Sequence, residues 1–326
     1  MHPFLSIIIT AKNEEELIET CLKSLIISLS TWGGLYEIFL VDNGSTDSTV
    51  DIAISQGCKV LEAPGARISR LRNLGAEKAK GDILVFLDAD CLVAPEWATL
   101  CLQKFDDQQI AVVGTRAIPD LNKATWVEKS WHSLFTGASS RKSYASWVGT
   151  SNLFIRRDVF IAVGGFDETL ITAEDVNLCY RVAEEGYLIF LDNSVDTIHL
   201  RESKTLAELF RREYWRGKNS LTSYIINGCP KKELLSIAVP AVNLIALLAL
   251  VPLLLTHSWL FSVPVITITG FPLLMLIRKR LHPKQVNVML ACYLVAFIYI
   301  IARSCALSME FLSLLKGSKQ IEEEIS

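Results

Sequence analysis

Apolar positions change character along this chain. Over the first two thirds, short apolar runs alternate with stretches of helical periodicity. Residues 5–10 (LSIIIT) form a β-branched run, as expected of a strand buried on both faces. A helix is expected to open at Asn13-Glu14-Glu15-Glu16, with Leu17, Cys21, Leu22, Leu25 and Leu29 recurring on one face. A second strand (37–41) ends in Asp42-Asn43-Gly44-Ser45-Thr46-Asp47, a turn that starts a helix. A third strand (59–62), a helix (69–80) closed by Gly81 and a strand (83–87, ILVFL) follow. Further on, the pattern predicts short strands at 151–155 and 188–191, a helical turn at 158–163 and a helix at 174–185 closed by Gly186. Strands alternating with helices predict an α/β layered fold with a mainly parallel sheet.

The last third reads otherwise. Residues 234–277 contain no Asp, Glu, Lys or Arg. Segments 234–256 and 259–277 are each long enough to cross a hydrocarbon core of ~30 Å, which takes about 20 residues. A third uncharged segment, 286–302, is shorter. The expected architecture is therefore a catalytic α/β domain over 1–230 and a membrane domain over 231–326, with C-terminal transmembrane helices. Basic residues Arg211 to Lys218 and Lys231-Lys232 precede the first span, and Arg278 to Lys284 follow the second. The loop Thr256-His257-Ser258 carries no Lys or Arg, so the positive-inside rule places the first domain and the second loop in the cytoplasm. If the third segment spans, Glu322-Glu323-Glu324 lie outside; if it is re-entrant, they stay inside.

A formal net charge of −3 gives no electrostatic reason to expect nucleic acid as a partner. The eight cysteines are scattered without a CxxC pair, which predicts reduced, structural thiols. The start of the chain shows no basic stretch leading into a long apolar core, so no secretory signal is expected.

Ligands of layered α/β folds bind beyond the carboxyl ends of the strands, and there Asp42, Asp88 and Asp90 fall. In Asp88-Ala89-Asp90 the two carboxylates are two residues apart and project to one side of an extended backbone. Such a pair suits Mg²⁺ or Mn²⁺ bridging protein oxygens and a diphosphate, although a solvated turn carries the same residues.

The segments SIIITAKNEEE, VDNGSTDST, RLRNLGAEKAKGDILVFLDAD, GTSNLFIRRDVFIAVGGFDE and EDVNLCYRVAEEGY resemble the successive motifs of family-2 glycosyltransferases, over roughly residues 5–220. The resemblance implies a GT-A fold, with a nucleotide-binding half over about 1–115 and an acceptor half over 116–220. It implies that Ala11, Asn13 and Glu14 line the nucleotide of a nucleotide-sugar donor, UDP-sugar first. Asp42 would accept from the base, Arg72 would lie against the diphosphate, and Asp88 and Asp90 would hold ribose and metal. His199 is implied as a further metal or diphosphate ligand. Glu174-Asp175 matches the family's ED motif, with Asp175 as base and Glu174 positioning it; Gly149 and Asn152 would shape the acceptor floor.

Two departures matter. Many relatives carry Pro-x-Tyr-Asn after the first strand, whereas here Thr10-Ala11-Lys12-Asn13 lacks the base-stacking ring and offers Lys12 to phosphate. Processive synthases carry Gln-x-x-Arg-Trp where this chain has Arg211-Arg212-Glu213-Tyr214-Trp215, keeping only the tryptophan. That predicts a non-processive enzyme, with Trp215 as an acceptor contact on a cationic, aromatic helix at the bilayer surface. The acceptor is expected to be a lipid-linked glycan or polysaccharide hydroxyl, with membrane lipid as a partner. The alternatives are a polyprenyl-phosphate sugar transferase and an inactive nucleotide-sugar-binding scaffold.

Overall fold

The computed structural model describes residues 4–136, 142–256, 259–279 and 286–325; side chains are described for these residues up to Leu314, apart from those of residues 136, 142 and 143. It divides into two compact units, Met1–Leu121 with Ala138–Glu202, and Asn122–Gly137 with Ser203–Ser326. This division differs from a single cut near residue 230. A short segment between two strands of the first unit belongs to the second, as does the chain from Ser203 onward.

The first unit is built on strands β1 (Leu5–Ala11), β2 (Tyr36–Asp42), β3 (Lys59–Glu62), β4 (Ile83–Asp88), β5 (Cys91–Leu92), β6 (Ile110–Ile118), β7 (Lys142–Tyr144), β8 (Asn152–Arg156) and β9 (Leu188–His199). They pair in the order β3-β2-β1-β4-β8-β6-β9-β5, with β7 on β9. The first four are mutually parallel; β8 runs antiparallel between β4 and β6, and β6 pairs parallel with β9. Both faces are covered, which is why β1 and β4 read as unbroken apolar runs. Ile7, Ile9, Val85 and Leu87 join one core with Leu22, Leu25 and Trp97, while Ile8, Leu84 and Phe86 join another with Leu71, Phe160 and Leu178. The result is a helix–sheet–helix sandwich.

Close approach on one face depends on Gly75, in helix Ile68–Lys78. A Cβ there would stand 2.5 Å from Ile8 Cγ2 and 3.2 Å from Val41 Cγ2. The missing side chain lets this helix sit hard against β1 and β2, and it carries Arg72 and Asn73 to the strand ends.

Several expectations shift. The first helix begins at Ile18 rather than Asn13, because Asn13 takes a left-handed backbone (φ 54°) and opens a loop. β6 has no forerunner in the sequence reading, and β9 continues to His199 instead of stopping at Leu191. Its register against β6 breaks between Thr115 and Arg116, where the partner jumps from Asp192 to Asp196; this irregularity interrupts the apolar pattern.

The second unit holds helices Trp126–Trp131, Leu206–Arg216, Ser220–Ile226, Leu234–Leu255, Ser262–Arg278 and Val286–Ile325. A capping box of Thr125 and Glu128 starts the first. Val127, Leu134 and Leu209 then pack with Leu276, Cys292, Val295 and Ala296. Three stretches, Leu234–Leu255, Trp259–Arg278 and Val286–Leu314, are long and apolar enough to cross a membrane. The third runs past residue 302, since Arg303 is paired within the unit instead of ending the helix. Residues 257–258 and 280–285 of the expected loops, and the side chains of Glu322 to Glu324, lie outside the described part.

Gly75→Val is expected to lower stability by about 1–3 kcal/mol or more through overpacking against Ile8 and Val41. Thermal unfolding of the purified full chain checks this; an unchanged Tm would mean the helix has room to retreat.

Candidate functional site

Parallel register gathers the strand-end carboxylates. Ala11 stands opposite Asp42 and Thr10 opposite Asp88, so β2 and β4 flank the end of β1 with one aspartate each. Asp42 is buried and holds the following turn: Oδ2 accepts from the Gly44 and Ser45 amides at 2.9 and 2.8 Å, and Oδ1 from the Ser45 hydroxyl at 2.5 Å. Two oxygens with several lone pairs keep acceptor capacity beyond this turn.

The loop after β1 is laced to the loop after β2. Asn13 N donates to Ser45 Oγ (2.9 Å), Asn13 Oδ1 accepts from Thr46 N (2.9 Å), and Glu14 N donates to Thr49 Oγ1 (2.7 Å). Asparagine tolerates the left-handed backbone that this lacing requires. Glu14 points toward the strand-end acids, where its Oε2 lies 3.1 Å from Arg201 Nη2. Burial pushes its carboxyl up to about 7; Arg201 opposes the shift, and Asp90, Asp47 and Asp88 reinforce it.

Arg72 is 5% exposed and bridges two carboxylates: Nη1 donates to Glu174 Oε1 at 2.6 Å and Nη2 to Asp88 Oδ1 at 3.3 Å. Its neighbour Asn73 clamps the Gly164-Gly165-Phe166 turn, donating to Phe166 O and accepting from Phe166 N, both at 2.9 Å. Arg67 holds the Glu168 and Thr169 carbonyls at 3.1 and 2.8 Å. Helix Ile68–Lys78 thus anchors the whole approach to helix Glu174–Glu184.

That second helix starts under strain, with Ala173 at φ 65°. Glu174 is buried on Arg72, while Asp175 is half-buried; its Oδ1 accepts from Val176 N at 2.8 Å. Its Oδ2 lies 3.6 Å from a Cβ built on Gly149. Gly149 and Asp175 are therefore neighbours. Asn152 is deeper: its Oδ1 accepts from the Thr115 amide and hydroxyl, both at 2.7 Å, and Thr115 Oγ1 meets Thr197 Oγ1 at 2.7 Å. Asn152 is 1% exposed, and this contact ties β8 to β6. Trp215 belongs to the second unit, exposed on helix Leu206–Arg216.

His199 is brought to the acids by strand pairing. Cys91 and Leu92 pair antiparallel with His199 and Ile198, and Leu200 N donates to Asp90 O at 2.9 Å. His199 Nε2 stands 3.6 Å from Asp90 Oδ1; His199 Nδ1, buried and without a hydrogen-bond partner of its own, stands 3.7 Å from Glu202 Oε1. Asp90, Cys91 and His199 offer ligand atoms within 4.8 Å of one another. Burial, with Asp88 and Asp90 nearby, pushes the Cys91 thiol up and keeps it protonated, so the usable donors are carboxylate and imidazole. Burial also raises Asp90, with His199 opposing and Asp88 adding to the shift. Hard oxygens beside an imidazole, short of positive charge, fit Mg²⁺ or Mn²⁺.

Asn73, Arg201 and Glu202 were not singled out from sequence. Asn73 lies within the RN-x-G segment, and Glu202 follows His199 by three residues; those were the signals available. Arg201 has no local signal, because its partner Glu14 is far away in sequence.

Fold and site together place the chain among the GT-A glycosyltransferases. Residues 6–164, just under half of the chain, match Glycosyl transferase family 2, and this match, the relatives and the fold together support a family-2 glycosyltransferase. It is 29% identical over 247 residues to glycosyltransferase AglE of Haloferax volcanii, covering 72% of this chain and 79% of that protein. It is 28% identical over 195 residues to the β-monoglucosyldiacylglycerol synthase of Nostoc, 55% of this chain but only 41% of that protein, so it spans less than half that relative's length. Among solved structures, the mannosyltransferase PcManGT from Pyrobaculum calidifontis, in complex with GDP-Man and Mn²⁺, superposes with a TM-score of 0.61. Coverage is 91% of this chain and 86% of that one at 17% identity, a likeness of fold.

The raised Glu14 carboxyl links stability to pH. The folded protein holds this proton up to about 7, whereas the unfolded chain loses it near 4.5, so stability attached to the proton fades as pH rises between these values. In EDTA, wild type and Glu14→Gln should melt alike near pH 5, and the variant should gain on wild type toward pH 8. A gap independent of pH would place the proton elsewhere.

Proposed function

We propose that the chain transfers a sugar, with inversion, from a nucleotide-sugar donor to a hydroxyl of a lipid-linked or membrane-proximal glycan, aided by Mg²⁺ or Mn²⁺. The observation that carries this is the physical coupling of the two halves of the site. Arg72 joins Asp88, at the donor strand end, to Glu174, beside the candidate base.

In this reading Ala11, Asn13, Glu14, Asp42 and Asp88 receive the nucleotide. Asp42 accepts from an imide N–H of the base, the basis for preferring a UDP-sugar. Arg72 orients Asp88 and stands near the diphosphate, and Asp88, Asp90 and His199 would hold the cation. When bound, the cation neutralises charge developing on the leaving diphosphate. The acceptor oxygen attacks the anomeric carbon as the bond to the diphosphate breaks, and the bonding pair leaves with the nucleoside diphosphate. The hydroxyl proton passes to the Asp175 carboxylate. Glu174, locked on Arg72, fixes the helix start from which Asp175 projects. Gly149 leaves room in front of Asp175, and Asn152 supports the floor from below.

The metal assignment has support in the mutual repulsion of Glu14, Asp88 and Asp90, and in a fold neighbour solved with Mn²⁺. A membrane-borne acceptor has support in the three apolar helices and in a relative whose name describes a diacylglycerol product.

A sugar hydroxyl needs a base, so Asp175→Asn should lower turnover by about 10²–10⁴-fold while donor affinity changes little. Steady-state transfer with donor binding measured separately checks this. Near-normal turnover would favour an acceptor that arrives ionised, such as a polyprenyl phosphate; a loss traced to donor binding would move Asp175 to the donor side.

The proposed topology puts the first unit in the cytoplasm, with Lys231, Lys232, Arg278 and Lys279 flanking the first two spans on that side. Cys229 is exposed just ahead of the first span. A membrane-impermeant maleimide should spare it in intact cells and label it after permeabilisation, with Cys229→Ser as control. Labelling of intact cells would invert the orientation.

A further inference from the structure

Helix Ser220–Ile226, in the second unit, has its chemistry turned the wrong way for water. Its small polar side chains face the protein. Ser220 Oγ accepts from Arg303 Nη1 at 3.1 Å, and Thr222 Oγ1 donates to Glu310 Oε1 at 2.7 Å. Ser223 is buried, and its Oγ accepts from Asn227 Nδ2 at 3.2 Å. The two isoleucines face outward, Ile225 at 56% and Ile226 at 52% exposed. A helix on a water-washed surface buries its apolar stripe and shows its polar one. Here the order is reversed.

The two ends of the helix agree with this. Helix termini leave their first amides and last carbonyls without partners inside the helix, and water commonly serves them. Here Ser220 N donates to Gly217 O at 3.2 Å, and Ser223 N to Asn219 O at 2.8 Å. Leu221 N and Thr222 N donate to the two carboxylate oxygens of Glu310, at 3.1 and 2.8 Å. At the other end the carbonyls of Ser223, Tyr224 and Ile225 accept from the amides of Asn227, Cys229 and Gly228, at 2.9, 2.9 and 3.0 Å. A medium without water demands that a backbone be satisfied in this way, within the protein.

Glu310 stands in the apolar stretch Val286–Leu314 and is buried. An ionisable group in such a stretch is costly and is kept for a partner or a task. Its task here is to fasten the start of Ser220–Ile226 to a helix long and apolar enough to span a bilayer. Beyond Ile226 the chain leads to Leu234 and Leu235, also exposed, which open the first apolar stretch. Lys231 and Lys232 lie exposed between, with long side chains of the kind that reach lipid headgroups.

We propose that helix Ser220–Ile226 is a membrane contact, lying in the bilayer interface with Ile225 and Ile226 among lipid acyl chains and held at that depth by Glu310. The inference rests on the apolar helices crossing the bilayer and is independent of the transfer reaction.

The test uses the full chain in phosphatidylcholine nanodiscs, with Cys229→Ser and Cys305→Ser removing the cysteines that are not buried. Ile226→Cys carries an NBD fluorophore. Leu248→Cys, exposed on the first apolar helix, is the lipid reference, and Asp51→Cys, exposed on helix Thr49–Ser55 of the first unit, is the water reference. The probe at 226 should emit to the blue of the probe at 51. It should lose most of its emission to phosphatidylcholine bearing a doxyl group near the top of its acyl chain, and keep its emission in iodide. Behaviour like that of the probe at 51 overturns the proposal. Protection from both quenchers would put a protein partner or a second copy on the helix and overturn the lipid assignment. Ile225→Cys reads the same exposed face should Ile226→Cys fold poorly. Iodide reaching the probe at 248 would overturn the spans themselves, which separates that failure from a failure of this helix alone.

Discussion

One buried guanidinium makes the candidate donor side and the candidate base side of the first unit a single object. Arg72 touches Asp88 at the end of β4 and Glu174 at the start of the helix that presents Asp175, two points far apart in sequence. With the Phe166 ring 5.7 Å away and little solvent access, Glu174 finds no equal partner in water, whereas Asp88 keeps 30% of its side chain exposed. Breaking the buried Arg72–Glu174 pair by removing its arginine costs about 3–5 kcal/mol, because Glu174 stays buried. Two carboxylates stand on this one cation, so its loss would also set them against each other. The surrounding structure serves this contact: Gly75 lets the helix approach the sheet, and Asn73 and Arg67 fasten the segment that leads to Glu174.

Two residues other than glycine with left-handed backbone sit on either side of the site, Asn13 and Ala173. For Asn13 the local hydrogen bonds to Ser45 and Thr46 explain the conformation. Ala173 has no side-chain device of its own, and such a backbone costs an L-residue roughly 1–2 kcal/mol. What holds it is the next residue: Glu174 is fixed on Arg72, and the chain arriving from Phe166 is fixed on Asn73. The helix start is held from both ends, and Ala173 between them takes the strain. The position of Asp175 is thus set by long-range ion pairing more than by local propensity.

Legibility from sequence follows the same divide between local and distant causes. β1 and β4 were readable because burial on both faces leaves an unbroken apolar run, and the strand-end aspartates were readable because they follow such runs. Cys21, Leu22 and Leu25 showed their helix by periodicity, though Asn13 and Glu14 looked like its first turn and prove to be a loop. β6 (IAVVGTRAI) was missed because Gly114, Thr115 and Arg116 dilute its apolar signal. The outer part of β9 was missed because its register break spoils the alternation. Arg72 was assigned toward the diphosphate; its bridge to Glu174 could not be seen, since no periodicity links residues 72 and 174. Nor could the sequence show that Arg303 is paired with Glu213, so the third apolar helix was ended too early.

The strand-end acids differ in how fully the protein compensates them, and this difference has chemical content. Asp42 is satisfied by two amides and a hydroxyl, and Asp88 has Arg72. Glu14 and Asp90 have poorer partners: Arg201 pairs with Glu14 from a half-exposed side chain, and His199 stands 3.6 Å from Asp90. Both carboxyls respond by holding their protons more tightly. Uncompensated negative charge is therefore concentrated beside His199 and is not spread along the sheet edge. Under the proposed function, a divalent cation arriving there would compete with those protons and release them. A nucleoside diphosphate without a cation meets these carboxylates as a like charge, whereas one carrying its cation brings the charge that the site lacks. If the site receives a diphosphate as proposed, this electrostatic imbalance built by folding would favour the cation-bound form over the bare one.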